Sequence, residues 1–201
     1  MNMDLEPRTV VAPVDPHHLP AAALVAASGM RDNPLHVAAV GDDPQRRIDL
    51  MRRAFETVLQ FDGRCVLGAW QDDRLVGVAA YTAVDRCRPT VRERLALLPV
   101  VARAGPRARK ILCWQRTWAL HDPDPPHSHL GPVAVDLEHQ GHGIGSRLLA
   151  AYVSTLDETG TVGYLETDKR ANVGFYERFG FTVAAEANVI GVTNWFMTRE
   201  P

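Results

Sequence analysis

The sequence predicts one α/β domain in which a mixed, twisted sheet is flanked by helices. Its 201 residues, 46% of them hydrophobic, suffice for a sizeable core. Strand-like segments form antiparallel pairs early and late in the chain, whereas a strand–helix–strand unit in the last third requires two parallel strands. No repeat or flexible linker interrupts the sequence. We therefore expect a single domain over 1–201, with two small domains as the alternative.

The first part of the chain predicts an edge strand and two helices. The strand covers 9–15, and a short helix follows at 21–28. The helix at 44–58 has the clearest signal, because Asp43 can cap it, Pro44 suits its first turn and apolar residues recur at three- and four-residue spacing.

Strands and helices follow one another along the rest of the chain. The segments "CVLGAW" and "RLVGVAAYT" flank "QDD" and predict a hairpin. A Pro-rich stretch, "HDPDPPHSH" at 121–129, predicts a loop. The other predicted elements are helices at 92–104 and 107–120, a strand at 130–135 followed by a helix, a strand at 161–167, a helix at 172–179, and strands at 181–186 and 193–199.

Composition argues against several classes of protein. The net charge of −2 gives no general attraction to nucleic acid, and no apolar run is long enough for a membrane span. The three cysteines, Cys65, Cys87 and Cys113, are odd in number and far apart, which fits neither a disulfide framework nor a metal motif. We expect a cytoplasmic protein with no metal, no nucleic-acid partner and no membrane partner.

Positive charge is concentrated between Arg86 and Arg116, where nine Lys or Arg residues accompany a single acid, Glu93. One interpretation is a solvated basic face on exposed helices. The other is a basic lid near an anionic cofactor, with an acidic remainder that suits a cationic substrate. The sequence leaves both interpretations open.

The stretch "VAVDLEHQGHGIGSRLL", 133–149, combines a strand, a glycine-rich turn and an amphipathic helix. Free backbone amides and the helix dipole make such a helix start an anion site, and the glycines let an anion approach the main chain. Two standard nucleotide motifs do not fit. GxxxxGK[ST] is absent, and Ser146 stands where a dinucleotide motif needs its last glycine.

Two motifs in the last third resemble those of the GNAT N-acetyltransferases. "QGHGIG" fits Q-x-x-G-x-G, the acyl-CoA pyrophosphate loop of that family, and "NVGFYERFGF" at 172–181 resembles its second signature. The resemblance covers the chain from residue 130 to its end and is closest to puromycin N-acetyltransferase-like bacterial members. Before residue 130 it lies mainly in the order of the elements.

The resemblance implies an acyl-CoA N-acyltransferase fold whose sheet is splayed at the cofactor strands, with acetyl-CoA as co-substrate. It implies a cofactor-binding core at about 129–181 and a helical insertion at about 88–120. More typical members place an Asn where this chain has Lys169, so the Asn172 contact departs from their pattern. The implied cofactor-binding residues are Val133, Ala134, Val135, Gln140, Gly141, His142, Gly143, Ile144, Gly145, Ser146, Asn172 and Tyr176.

Amide formation from a thioester needs a neutral amine and a proton for the departing thiolate. A phenol with a pKa near 10 is protonated at neutral pH, so Tyr176 is the candidate acid, with aromatic packing as the structural alternative. Glu166, at the C-terminal end of a strand, is a candidate proton acceptor or an edge salt bridge. Asp168 is a weaker candidate of the same kind, and His129 could accept the proton directly or through water.

These observations predict an N-acetyltransferase that moves an acetyl group to a primary amine of a small molecule. We expect direct transfer in a ternary complex, since no cysteine lies near either motif in the sequence. Three alternatives stay open: a non-catalytic acyl-CoA-binding or regulatory module, an acyltransferase using another acyl-CoA, and an enzyme acting on a protein amine. A homodimer is compatible with the resemblance.

Overall fold

A computed structural model describes residues 8–84, 86–124 and 126–201. The strands are β1 (Val10–Pro13), β2 (Arg64–Gln71), β3 (Arg74–Thr82), β4 (His127–Val135), β5 (Val162–Thr167), β6 (Thr182–Val189) and β7 (Val192–Arg199). The helices are α1 (Leu19–Gly29), α2 (Pro34–Val40), α3 (Pro44–Val58), α4 (Val91–Ala96), α5 (Leu98–Ala104), α6 (Ala108–His121), α7 (Ile144–Thr159) and α8 (Arg170–Glu177).

The strands form one seven-stranded sheet in the order β1-β2-β3-β4-β5-β7-β6. β4 and β5 are parallel, and the other neighbouring pairs are antiparallel. This arrangement confirms the predicted single α/β domain with a mixed sheet. Across the described ranges, no helix combines the length and the apolar character required to cross a bilayer.

The sheet opens between its two parallel strands. β4 and β5 pair only over 127–130 and 162–165, after which β4 continues beside β3 and β5 continues beside β7. The second half of β4 therefore has no strand on its β5 side among the described residues. This gap is the predicted splay, and it leaves backbone groups available to a ligand.

Helices cover both faces of the sheet. Successive strand residues point to opposite faces, so neighbours on β5 enter different cores. Leu165 packs with Leu148 and Tyr152 of α7. Tyr164 belongs to the other core, which is formed with residues of α2, α3 and α6, including Trp114.

The structure contains a helix that the sequence pattern did not predict. α2 has only seven residues, and the Asp168 carboxylate accepts a hydrogen bond from the Leu35 amide at its start (2.7 Å). Local signals do flank the helix, with Asn33 at the N-cap position, Pro34 in the first turn and Gly41 just beyond the end. Seven residues are too few to show an apolar repeat, and the stabilising carboxylate lies 133 residues further along the chain.

Other predicted boundaries were displaced. β4 begins at His127, inside the stretch predicted as a loop, because the residues from His127 to Leu130 pair with β5. The helix expected at 92–104 is two helices, α4 and α5, which meet at Leu97 before Pro99. Proline lacks an amide hydrogen and disfavours helical geometry in the residue before it, which accounts for this break.

Candidate active site

The glycine turn connects the end of β4 to the start of α7. Gln140 fixes the turn to the strand, because its side-chain amide donates to the Val135 carbonyl (3.0 Å). Gly141 and Gly143 have φ angles of +81° and +74°, and a Cβ at either position would meet nothing within 4 Å. The turn is thus a left-handed backbone path that opens onto free space.

The start of α7 leaves its backbone amides free. The helix has 16 residues and no side-chain cap, and its first backbone bond runs from the Arg147 amide to the Gly143 carbonyl (3.1 Å). The preceding amides, including those of Gly145 and Ser146, have no partner within the helix. A long helix with an uncapped start facing a groove is suited to a phosphate group.

A groove of about 480 Å³ extends from this turn to α8 and is called the turn groove below. Lys169 and Arg178 line it and supply positive charge beside the free amides. None of the residues 86–116 lines it, so the basic stretch is not a lid over this groove. The expected cofactor-binding residues in its lining are Val133, Ala134, Val135, Gln140, Gly141, Gly143, Ile144, Gly145, Ser146, Asn172 and Tyr176. His142 is exposed and lies outside that lining.

A second cavity, of about 290 Å³, lies between the splayed strands and the helices α2, α3 and α6 and is called the inner cavity. Its walls include Phe55, Trp114 and Trp118 as well as part of the basic stretch. The two spaces share five lining residues: Met30, Asn33, Val133, Asn172 and Tyr176. The turn groove and the inner cavity therefore meet at the opening between β4 and β5.

Tyr176 lies at this junction. It is buried, and its hydroxyl has no hydrogen-bond partner among the described residues. Burial raises the pKa of its phenol, and the nearby Asp168 carboxylate raises it further. The phenol is therefore protonated at neutral pH and has a proton to donate to a bound group.

The two candidate proton acceptors form one hydrogen-bonded pair in the inner cavity. His129 Nε2 lies 2.7 Å from Glu166 Oε2, and only 3% of the Glu166 side chain is exposed. The His129 backbone amide donates to Thr82 Oγ1 (3.0 Å), which holds that residue in the strand. The pair lies where the two strands separate. His129 precedes Leu130, the last residue of β4 that pairs with β5, and Glu166 follows Leu165, the last residue of β5 that pairs with β4.

Three residues of the site were not found from the sequence. Asn33 lies at the junction, and its side chain makes no hydrogen bond with a described residue. His36 lines the inner cavity, where Nδ1 donates to the Met30 carbonyl (2.9 Å) and burial lowers the imidazole pKa to about 4. Arg64 lines the same cavity. Asn33 and His36 come with the unpredicted helix α2, which is too short to show an apolar repeat; its signals in the sequence are Asn33, Pro34 and Gly41, which mark its start and end.

Cys87 also lines the inner cavity, although it is far from both motifs in the sequence. Its thiol contacts Thr82 Oγ1 (3.3 Å) and the His127 carbonyl (3.4 Å). Distance along the chain does not measure distance in space, so the separation of the cysteines from both motifs does not exclude a thiol from this cavity, and direct transfer stays a prediction.

Potential metal ligands also meet near Cys87. Its sulfur and donor atoms of Asp122 and His127 lie within 4.8 Å of one another. Asp122 Oδ1 is 3.2 Å from His127 Nε2, and Asp122 Oδ2 is 3.4 Å from Arg88 Nε. These ion-pair contacts connect Asp122 to His127, at the start of β4, and to Arg88.

Comparison with known sequences identifies the family. A sequence model described as the acetyltransferase (GNAT) family matches residues 34–181, which include α2, the splayed strands and both motifs. The chain belongs to this family. Its membership agrees with the groove geometry, in which a glycine turn and a splayed strand stand side by side.

Solved structures share the fold at low sequence identity. A Corynebacterium glutamicum protein, described as histone acetyltransferase HPA2 and related acetyltransferase, has a TM-score of 0.73 and 20% identity, covering 96% of both chains. An N-acetyltransferase from Staphylococcus aureus gives 0.58 and 15%, covering 96% of this chain and 98% of the other. The PaiA N-acetyltransferase of Thermoplasma acidophilum, in complex with coenzyme A, gives 0.57 and 12%, with 96% and 99% coverage. Both this GNAT chain and these proteins therefore have the same overall architecture.

Proposed function

We propose that this GNAT protein transfers the acetyl group of acetyl-CoA directly to a primary amine of a small molecule. The observation that carries the proposal is the meeting of the turn groove and the inner cavity at Tyr176. A donor in the groove and an acceptor in the cavity would meet there without a covalent carrier. Holding two reactants in contact is itself a large part of the rate enhancement of such reactions.

The turn groove fits acetyl-CoA, which supplies the acetyl group as a thioester. The free amides from Gly143 to Ser146 suit its pyrophosphate, and Lys169 and Arg178 add positive charge. The unpaired edge of β4 around Val133 suits the amide-containing pantetheine arm, which can hydrogen bond like a neighbouring strand.

The His129–Glu166 pair has the geometry to take up the proton that the amine must lose. An alkyl amine has a pKa of about 10.4 and is mostly protonated at neutral pH, so one proton leaves before nitrogen attacks. A second proton leaves nitrogen as the C–N bond forms. The pair lies in the inner cavity, where His129 is 24% exposed and can pass protons to solvent.

Tyr176 supplies the other proton of the reaction. As the C–N bond forms, the C–S bond breaks and the thiolate leaves with the bonding electrons. The buried phenol then donates its proton to that sulfur and recovers one from the amine side or from solvent. The raised pKa keeps the phenol protonated before the reaction. Burial disfavours a free thiolate as well, so the charge developing on sulfur draws the proton from the phenol as the C–S bond breaks.

The inner cavity favours a small acceptor over a protein substrate. Its volume of about 290 Å³ lies near the lower end of the range typical of small-molecule sites. Helices α3 and α6 contribute the apolar walls, so the amine would be enclosed rather than presented on an extended chain.

The test is amine-dependent thiol release from acetyl-CoA across polyamines, aminoglycosides, arylamines, amino acids, short peptides and puromycin. We expect turnover with at least one small amine and a decrease of about 10²–10⁴-fold in kcat for Tyr176→Phe. Tyr152→Phe is the matched control, because Tyr152 is buried in α7 and lines neither cavity.

Each outcome has a clear meaning. Turnover that Tyr176→Phe leaves unchanged would keep the enzyme but remove this residue from the chemistry. Binding of acetyl-CoA by calorimetry with no thiol release for any amine would favour a non-catalytic module. A preference for another acyl-CoA or for peptides would replace the donor or the acceptor in the proposal.

A further inference from the structure

Arg64, in the wall of the inner cavity, has N–H groups without hydrogen-bond partners among the described residues. It begins β2, and its Nη1 donates to the Gly131 carbonyl of β4 (3.0 Å). Its Nε is enclosed and has no hydrogen-bond partner, and its Nη2 makes no hydrogen bond with a described residue. No carboxylate within the described ranges forms an ion pair with it.

The other charged groups of the lining are already engaged. Arg86 pairs with Asp62 (3.2 Å), and Glu166 pairs with His129 (2.7 Å). Glu93 accepts hydrogen bonds from the backbone and hydroxyl of Thr90. Asp168 accepts one from the Leu35 amide. None of these groups forms a hydrogen bond with Arg64, although the Glu93 carboxylate acts on it electrostatically. The lining holds more carboxylates than arginines, so the feature that distinguishes Arg64 is its N–H groups without partners.

A guanidinium whose N–H groups lack hydrogen-bond partners is energetically unfavourable in a partly enclosed wall. Burial lowers its pKa, yet a guanidinium stays charged at any physiological pH, so neutralisation cannot relieve the cost. A bound anion would relieve it. Arginine is also the side chain best suited to a planar carboxylate, because its fork of N–H groups matches the two oxygens.

Arg64 lies close to the His129–Glu166 pair, where the amine of the acceptor is expected to react. Gly131, the residue that it holds, is two positions beyond His129 on β4, which corresponds to about 7 Å along a strand. A group bound at Arg64 and an amine at the His129–Glu166 pair would therefore be separated by only a few bonds.

We propose that the acceptor is an amino acid or a similar short amino carboxylate, whose carboxylate binds Arg64 while its amine lies at the His129–Glu166 pair. This inference rests on the proposed function for the position of the amine. It does not depend on that function for the anion subsite, which follows from Arg64 and the lining alone.

The experiment compares each amino acid with its own carboxamide, which keeps the amine and removes the negative charge. Glycine, β-alanine, γ-aminobutyrate, δ-aminovalerate and phenylalanine form the series. In the wild type we expect kcat/KM for at least one acid to exceed that of its amide by about tenfold or more. Arg64→Gln should abolish the preference, and Arg64→Lys should keep part of it. Arg74→Gln, at an exposed and paired arginine that lines neither the inner cavity nor the turn groove, should keep it fully.

Equal rates for acids and amides in the wild type would overturn the proposal, and that comparison needs no variant to fold. A preference that persists in Arg64→Gln, with coenzyme A affinity unchanged, would overturn it as well.

Calorimetry with coenzyme A and the N-acetyl products separates this inference from the proposed function. If no amine turns over, the proposed function fails, but tighter binding of N-acetyl acids than N-acetyl amides, lost in Arg64→Gln, still supports the subsite. If no amine turns over and neither product series shows that preference, both proposals fail.

Discussion

At the scale of single residues, the proposed chemistry depends on Tyr176 and on the His129–Glu166 pair. The Tyr176 phenol has no hydrogen-bond partner among the described residues and a raised pKa, so it holds a proton. The Glu166 carboxylate is almost fully enclosed and contacts His129. The proposed proton donor thus lies at the junction, and the proposed acceptor lies in the inner cavity, where the amine is expected.

Glu166→Gln tests the acceptor side. The amide can still hydrogen bond to His129 but cannot take a proton, so we expect kcat to fall by about 10²–10⁴-fold. Affinity for coenzyme A should not change, since Glu166 lines only the inner cavity. Raising the pH should restore part of the rate, because more of the amine is then already neutral. An unchanged kcat in the variant would remove Glu166 from proton transfer.

His36 predicts a pH dependence of stability. Burial lowers its pKa from 6.5 to about 4, with smaller contributions from Lys169 and Arg47, so the unfolded chain binds a proton more readily than the native protein. The free energy of unfolding is unaffected by protonation of His36 above about pH 6.5, where the imidazole is neutral in both states. It decreases as the pH falls towards 4, by about 3 kcal/mol at most, because the unfolded chain takes up the proton first. The free energy of unfolding, measured in urea, should fall more steeply with decreasing pH in the wild type than in His36→Gln within this window. Parallel plots of that free energy against pH would contradict the expectation.

At the scale of secondary-structure elements, the turn between β4 and α7 positions the cofactor site. Left-handed glycines let the chain reverse while the amides at the start of the helix stay free. Gly29 contributes from the other side. A Cβ there would lie 2.6 Å from the Val135 carbonyl, so glycine lets α1 pack closely against the end of β4.

Gly143→Ala should weaken coenzyme A binding through the backbone. Its φ of +74° costs a residue with a Cβ about 1–2 kcal/mol, although the Cβ itself meets no atom. Gly160→Ala, at the other end of α7 with φ +59° and equally free space, is the matched control. Both variants should lose stability in urea, but only Gly143→Ala should bind coenzyme A less tightly by calorimetry. Equal affinities would show that the turn does not form the binding surface.

The elements also show how far sequence reasoning can extend. The strand, glycine turn and long helix were predictable because all their signals are local, and so was the order of β5, α8 and the last two strands. Helix α2 was not, since its seven residues are too few for an apolar repeat and the Asp168 carboxylate that binds its first turn lies far along the chain. Arg64 could be recognised only from the folded structure, in which its Nε has no hydrogen-bond partner. Local patterns therefore predicted the cofactor side better than the acceptor side.

At the scale of the whole molecule, the opening in the splayed sheet separates the two spaces proposed for the acetyl donor and the acceptor. Residues after the point where β4 and β5 separate line both spaces, so the gap connects the turn groove with the inner cavity. Helices α4 and α6 contribute residues to the lining of the inner cavity and none to that of the turn groove. Under the proposed function, variation in these two helices would change the acceptor and leave acetyl-CoA binding in place.

The main alternative to direct transfer in a ternary complex is an acetyl-enzyme intermediate on Cys87, because this residue places a thiol in the wall of the inner cavity. The most direct test varies acetyl-CoA and the best amine together and measures initial velocities. We predict intersecting double-reciprocal lines for the wild type and for Cys87→Ser, since both substrates must be bound at once. Parallel lines in the wild type, with turnover lost in Cys87→Ser, would contradict direct transfer and indicate an acetylated enzyme.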